Sequence, residues 1–338
     1  MPDRYSSDQR QERTGSPTYR LVGVSNVLSR DGSLHGTLHD GAFYGNKLAG
    51  KDKAPSMKIA VLADIHANLA AFQAVIDDIE RWNPDIVIIA GDIINRGPQP
   101  RACLELALRM RAERGWHVLR GNHEGYILSY ERDVATGCPP KGGKQALLGP
   151  IIWTHQAVAD MLPQIEALPT NQVVTTRDGL VMAYHASIHH DRDGLLPGHT
   201  QLELHAKIDP RAAVFCTAHT HMPFVRRVGE TLVVNVGSVG LPFDGDWRAA
   251  YARLMVCHTG WQAQIVRLPY DRAATLRAAR DLMVPNAGPI AHIMLRELET
   301  ARSLLFDFVP VYNEPVIAGV IGLEEAVKRF LSAVERAA

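Results

Sequence analysis

The chain has 338 residues, 46% of them hydrophobic and 21% charged, enough to bury one large core and still carry appendages. Its formal net charge is +0, so no global field favours nucleic acid or a membrane surface, and the charge of a substrate has to be met locally. The 4 cysteines, Cys103, Cys138, Cys216 and Cys257, show no CxxC spacing, which speaks against a zinc ribbon or a disulfide framework, and no apolar run approaches the roughly 20 residues that cross a bilayer.

Residues 1 to 56 are rich in Ser, Gly, Asp and basic residues around one short apolar stretch, LVGVSNVL, and are expected to be a partly disordered extension. The opening MPDRYSSDQRQERTGSP lacks the apolar segment of a secretory signal, so cytoplasmic localisation is the expectation. A catalytic domain is expected over 57–270. It opens with the apolar run IAVLAD, read as a buried strand, and continues into NLAAFQAVIDDIERW, where Leu69, Phe72, Val75, Ile76, Ile79 and Trp82 share one helical face. Asn68 stands where that helix needs an N-cap.

The strand-helix alternation repeats in DIVIIAGD followed by ACLELALRMRAERG, which ends in the glycine expected after a helix, and WHVLRGN is the third strand. Residues 125–168 then read as a helical, cap-like insertion, with GYILSYER opening a helix and a later helical period interrupted at Pro150 and Pro163. Trp153 and Leu162, at helical spacing within it, are expected to make core contacts. GLVMAYH and AAVFCTAH are further strands, separated by the loop ASIHHDRDG, whose His189 and His190 read as solvated loop residues or as part of a substrate rim. Beyond residue 270, DRAATLRAARDLM, PIAHIMLRELETARSLLF and GLEEAVKRFLSAVERAA form a helical C-terminal extension, 271–338. Leu323, Val327, Phe330, Leu331 and Val334 make one stripe of the last helix, suited to docking on the core or, as the minority reading, to a homo-oligomer interface. The expected fold class is α/β, a layered β-sandwich flanked by helices.

Each of five apolar runs ends in a short polar island: Asp64 and His66 in ADIH, Asp92 in GD, Asn122 to Glu124 in GNHE, His185 in YHAS, and His219 and His221 in AHTH. In layered α/β folds sites are built at the C-terminal ends of strands, so the five islands are expected to converge. Carboxylate, imidazole and amide oxygen together suit Mn, Fe, Zn, Co or Ni rather than Ca or Mg, with Mn the first choice. Two such cations about 3.5–4 Å apart need one shared carboxylate to lower their repulsion, and Asp92 is the natural bridge.

The order of the islands resembles the calcineurin-like metallophosphoesterase superfamily, whose pattern runs D-x-H, G-D, G-N-H-[ED], H, then G-H-x-H. The resemblance spans roughly residues 57 to 270 and implies that Asp64, His66, Asp92 and His221 hold one metal, while Asp92, Asn122, His185 and His219 hold the other. It makes His123 the catalytic acid and Arg96, in GDIINRGPQP, the clamp on the substrate phosphate; Arg120, directly before the GN turn, is less suited to touch substrate, since an internal ion pair would serve equally well there. NVGSVGLPFDGDWRAAYARL, from Asn235 to Leu254, resembles the YfcE-like bacterial phosphodiesterase branch, whereas GDIINRG and RGNHE resemble the Ser/Thr phosphatases and diadenosine tetraphosphatases. Three positions depart from the pattern: Ala186 and Ala218 replace glycines, which is tolerable only where φ is negative, and Asn95 stands where the phosphatase branch has aspartate. The implied activity is hydrolysis of a phosphodiester or phosphomonoester, in a small molecule or nucleotide, by attack of a metal-bridging hydroxide. The alternatives are a protein Ser/Thr or dinucleoside-polyphosphate phosphatase, and a non-catalytic metal-binding scaffold.

Overall fold

The computed structural model describes residues 57–337, so the expectation of disorder in residues 1–56 lies outside the described residues. The first strand, β1 (Lys58–Leu62), leads into α1 (Leu69–Trp82). Asn68 caps that helix by accepting from the Ala71 amide at 3.2 Å, and its Nδ2 donates to the Gly240 carbonyl at 2.9 Å, which ties the helix start to a distant loop. The alternation continues through β2 (Ile86–Ile89), α2 (Pro100–Arg114) and β3 (His117–Val118), and Gly115 ends α2 at φ 68°, a conformation that favours glycine.

Between β3 and the next strand lie α3 (Asn122–Ala135), α4 (Gly142–Leu147), α5 (Gly149–Val158) and α6 (Leu162–Glu166). Pro150 and Pro163 sit in the first turns of α5 and α6, where the missing N–H costs nothing, so they begin helices rather than interrupt one. Trp153 and Leu162 are partly buried against apolar clusters. There follow β4 (Asn171–Thr176), β5 (Gly179–Tyr184), α7 (Gln201–Lys207), β6 (Ala212–Thr217), β7 (Phe224–Val228), β8 (Thr231–Asn235) and the hairpin β9 (Ala249–Cys257) and β10 (Gly260–Leu268).

Two five-stranded mixed sheets result. One has the order β10-β9-β1-β2-β3, with β1, β2 and β3 parallel; the other has the order β4-β5-β6-β8-β7, with β5, β6 and β8 parallel. Alternate residues of β1 go to opposite faces, as the two-residue period of a strand requires. Ile59 and Val61 join Ile88, Val181, Val214, Val234 and Leu254 in the core between the sheets. Ala60 and Leu62 instead meet Phe72, Val75, Ile79 and Leu104 beneath the outer helices. On the far side, Leu204 of α7 packs with Met182, Phe215 and Val233. Helix, sheet, sheet and helix are thus stacked, the α/β sandwich expected from the sequence.

The C-terminal part folds as α8 (Arg272–Ala278), a π-helical turn at Ala279–Met283, α9 (Ile290–Thr300), α10 (Leu305–Ile317) and α11 (Leu323–Ala337). Two details differ from the sequence reading. The segment PIAHIMLRELETARSLLF is not one helix, because Ala301 turns into the left-handed region at φ 52° and closes α9. A further helix, α10, forms despite Pro310 and Pro315 in its interior, since its Phe308 is fully buried and stacks on Tyr312, with Phe330 edge-on. The apolar stripe of α11 docks on this same chain through Leu323, Val327 and Phe330. Among the described residues no helix is long and apolar enough to cross a membrane.

Candidate metal centre

The five polar islands meet at one point. Asp64 and His66 follow β1, Asp92 follows β2, Asn122 and His123 form the first turn of α3, His185 follows β5, and His219 and His221 follow β6. The loops that carry them are unusual in backbone as well as composition. Asp64, His66, Asp92, His219 and His221 all take left-handed φ values, between 45° and 65°. Such conformations are uncommon outside glycine and cluster where surrounding structure imposes them. Here the first two loops are stitched together, with His66 N donating to Asp92 O at 3.0 Å and Ala67 N to Ile93 O at 2.9 Å. Neither Ala186 nor Ala218 takes a positive φ, the condition under which alanine replaces glycine without strain. Gly121 is a different case, because a Cβ there would lie 2.2 Å from Asp92 Oδ1.

Hydrogen bonds orient the side chains. Asp64 Oδ2 accepts from the His219 amide and Asp92 Oδ1 from the His123 amide, both at 2.9 Å, which aims the second oxygen of each carboxylate at the imidazoles. Asp92 Oδ2 lies 3.2 Å from His185 Nε2, 3.7 Å from His66 Nε2 and 4.0 Å from His123 Nε2. Asp64 Oδ1 lies 3.8 Å from His221 Nε2. Asn122 Oδ1 is 2.8 Å from His185 Nε2 and 2.9 Å from His219 Nδ1. Outside the cluster, His185 Nδ1 donates to Ala90 O and His221 Nδ1 to Leu241 O, leaving Nε2 of each ring facing inward. Asp64, His66 and His221 form one group of converging ligand atoms, and Asp92, His185 and His219 another.

This donor set fits cations. Asp64 Oδ1 is fully buried with no hydrogen-bond partner, an arrangement costly for a carboxylate unless a positive charge meets it. His66 Nε2 and His221 Nε2 face each other at 3.1 Å, two nitrogens that need a proton or a metal between them. Burial pushes the carboxyl of Asp64 up and the imidazoles of His66 and His221 well down, and holds His219 at about 4, so these rings offer neutral lone pairs at pH 7. Burial opposes ionisation of Asp92 too, but His185, His123 and His66 around it prevail and hold it well below the usual carboxylate range. The reciprocal effect lifts His185 to about 10 against its own burial.

His123 stands at the edge of the cluster, its ring edge-on to His66 at 4.8 Å between centroids and its Nδ1 2.9 Å from Asn95 Nδ2. Burial brings its pKa down to about 3. Arg96 is held rather than free: its Nη2 pairs with Glu297 of α9 at 2.5 Å, and its guanidinium lies over Phe243, which stacks on His221 at 4.3 Å. Among the described residues Arg120 makes no ion pair, and it donates to the Glu166 carbonyl at 3.3 Å. His189 is exposed and bonded to Ala206 O, while His190 Nδ1 accepts from the Arg192 amide.

Three residues that shape the site had no role in the sequence reading. Glu124 is fully buried, and its two oxygens accept from the amides of Asp92, Ile93, Ile94 and Gly121, which fastens the loop carrying Asp92 to the start of α3. Its position three residues after the cap is the sequence mark of such a bond. Burial and the nearby Asp92 push it up to about 7, against the pull of those amides. Glu297 and Phe243 have no comparable mark, because both come from segments remote in sequence.

The chain matches the model of the calcineurin-like phosphoesterases over residues 57–231, just over half of its length. It is 26% identical over 249 residues to the uncharacterized protein MJ0912 of Methanocaldococcus jannaschii, a match covering 68% of this chain and 93% of that one. Its fold is similar to that of a metallophosphoesterase from Sphaerobacter thermophilus, with TM-score 0.55 and 24% identity over 72% of this chain and 99% of that one. It is also similar to the hypothetical protein PH1004 of Pyrococcus horikoshii, with TM-score 0.56 and 19% identity over 66% and 92% of the two chains. The family uses divalent metals, which the Asp and His groups here are able to hold, and the chain belongs to the calcineurin-like phosphoesterase family.

Proposed function

We propose that this chain is a binuclear metal-dependent hydrolase of phosphate esters, acting on a small-molecule or nucleotide phosphomonoester or phosphodiester. The observation that carries the reading is the buried convergence of seven polar side chains from five strand ends, with Asp92 Oδ2 within 4.0 Å of imidazoles in both ligand groups. Asp64, His66, Asp92 and His221 would hold one cation, and Asp92, Asn122, His185 and His219 the other, with Mn the expected metal. Bound there, two such ions supply activated water at neutral pH and neutralise charge on phosphoryl oxygens.

The rest is the work of the chain. His123, beside the cluster and partly open to solvent, is the proposed catalytic acid, placed to protonate the leaving oxygen. Arg96 is the remaining candidate for phosphate recognition, a planar guanidinium already aimed by Glu297 and Phe243. The test is a panel of bis-p-nitrophenyl phosphate, p-nitrophenyl phosphate, diadenosine tetraphosphate and a phosphopeptide, each assayed after loading with Mn, Fe, Zn, Co or Ni. The proposal expects metal-dependent hydrolysis of a small ester. Turnover of the phosphopeptide or the dinucleotide alone would move the assignment to the phosphatase branches, and no turnover with any metal would refute it.

A further inference from the structure

The least buried side chains of the centre are His123 and His219, and the loop between β5 and α7 forms a rim beside both. A Cβ on Gly194 would lie 3.0 Å from His219 Cδ2, and one on Gly125 would lie 3.6 Å from Asp191 Oδ2, so the loop rests directly on the His219 ring and on the first turn of α3. Internal bonds hold its shape. Ser187 Oγ donates to Asp193 Oδ2 at 2.8 Å and accepts from the His189 amide at 3.0 Å, and Lys207 pairs with Asp193 from α7. The rim is therefore organised before a ligand arrives. Tyr126, one helical turn after His123, stands edge-on to that imidazole at 5.2 Å between centroids, and the Arg192 guanidinium lies over the Tyr126 ring at 5.6 Å. The side chain of Arg192 is 62% exposed.

We propose that Arg192, braced on Tyr126, is a specificity-determining residue that stacks on a nucleobase in the leaving group, so that the substrate is a phosphate ester of a nucleoside. With His123 as the acid at the leaving oxygen, the group attached to that oxygen extends past His123 toward Tyr126 and Arg192. Tyr126 intervenes between the two, so a ring that meets Arg192 is set back from the oxygen by a spacer, as a sugar sets back a base. A guanidinium is flat and weakly hydrated, and with one face on a tyrosine it presents the other to a second ring. Recognition of a further phosphate fits less well. Asp191 Oδ1 lies 3.6 Å from Arg192 Nε and Asp193 is matched by Lys207, so these four charges balance and leave no surplus for another anion. Arg96 does not reach this rim, because it lies over Phe243 beside His221, in the other ligand group.

The proposal rests on the phosphoesterase reading for the leaving oxygen, but its first test needs no turnover. Calorimetry on the Mn-loaded full chain compares two methylenephosphonates, in which CH2 replaces the ester oxygen: the analogue of 2′-deoxyadenosine 5′-phosphate and the same sugar phosphonate without a base. The wild type should bind the base-bearing analogue about tenfold or more tightly, a usual contribution of one stacked base. In Arg192→Ala and in Arg192→Lys, which keeps the charge and loses the plane, the difference should fall to about twofold or less. Hydrolysis of the parent monoesters and their methyl diesters should show the same change in KM and not in kcat, as for binding made equally in ground and transition states. A wild type that does not distinguish the two analogues, or a preference kept in either variant, would overturn the proposal, whereas absence of hydrolysis of every ester would refute the phosphoesterase reading and leave the binding result standing.

Discussion

At the scale of single residues, the centre is an exchange between desolvation and mutual attraction. His185 shows this most directly: the buried Asp92 and Asp64 beside it raise its pKa to about 10, so in the metal-free protein the ring carries a proton at pH 7. A cation needs that ring neutral, so metal binding at pH 7 should release about one proton from it, and the apparent affinity should fall about tenfold for each unit the pH is lowered. Calorimetric titration in two buffers of different ionisation heat measures the proton count; a count of zero would contradict the assignment of His185 as a ligand. Glu124 acts one step away. Glu124→Gln replaces one oxygen by an NH2, so two of its four amide donors lose their acceptor, at a cost of about 1–3 kcal/mol each. Because those amides set the loop of Asp92, metal affinity should drop about 10–100-fold as well, as for other residues that hold a ligand in place. A variant that melts and binds metal like the wild type would show the four bonds to be dispensable.

Secondary elements divide into those that carry the clustered polar side chains and those that brace them. The strands that end in the polar islands were legible in the sequence because buried parallel strands read as continuous apolar runs, and a polar residue that ends such a run has few structural explanations. The fold class and the meeting of the seven side chains follow from those runs, together with the family resemblance of their order. What stayed hidden has physical reasons. α10 carries two prolines that local rules assign to a break, and tertiary burial of Phe308 overrides them. Ala301 ends α9 without glycine or asparagine to mark the turn. The pairing of Arg96 with Glu297 joins positions 201 residues apart, beyond any periodicity. That pair is where the C-terminal helices meet the site, and Glu297 also accepts from the Leu304 and Leu305 amides, at 2.8 and 2.9 Å. Glu297→Ala leaves a largely buried guanidinium unpaired and should destabilise the fold by about 3–5 kcal/mol. Urea unfolding measures this, and a change below about 1 kcal/mol would mean that the helix and the Arg96 loop are not coupled.

For the whole molecule, the two sheets serve as a frame that brings strand ends of separate parallel sets to one point, three in one sheet and two in the other. The core between the sheets is apolar from Ile59 to Leu254, so the polar residues are concentrated beyond the strand ends, where burial without partners would be costly. Such a cluster is stable when cations complete it, and the proposed centre, with Asp92 shared between its two ligand sets, would hold two. The most direct test is the number of metal ions per chain, counted by native mass spectrometry after reconstitution with Mn, in the wild type and in Asp92→Asn. The account predicts two ions in the wild type and at most one in the variant, since a neutral amide cannot offset the repulsion between the cations. A wild type that holds a single ion, or an Asp92→Asn variant that still holds two, would contradict the binuclear centre.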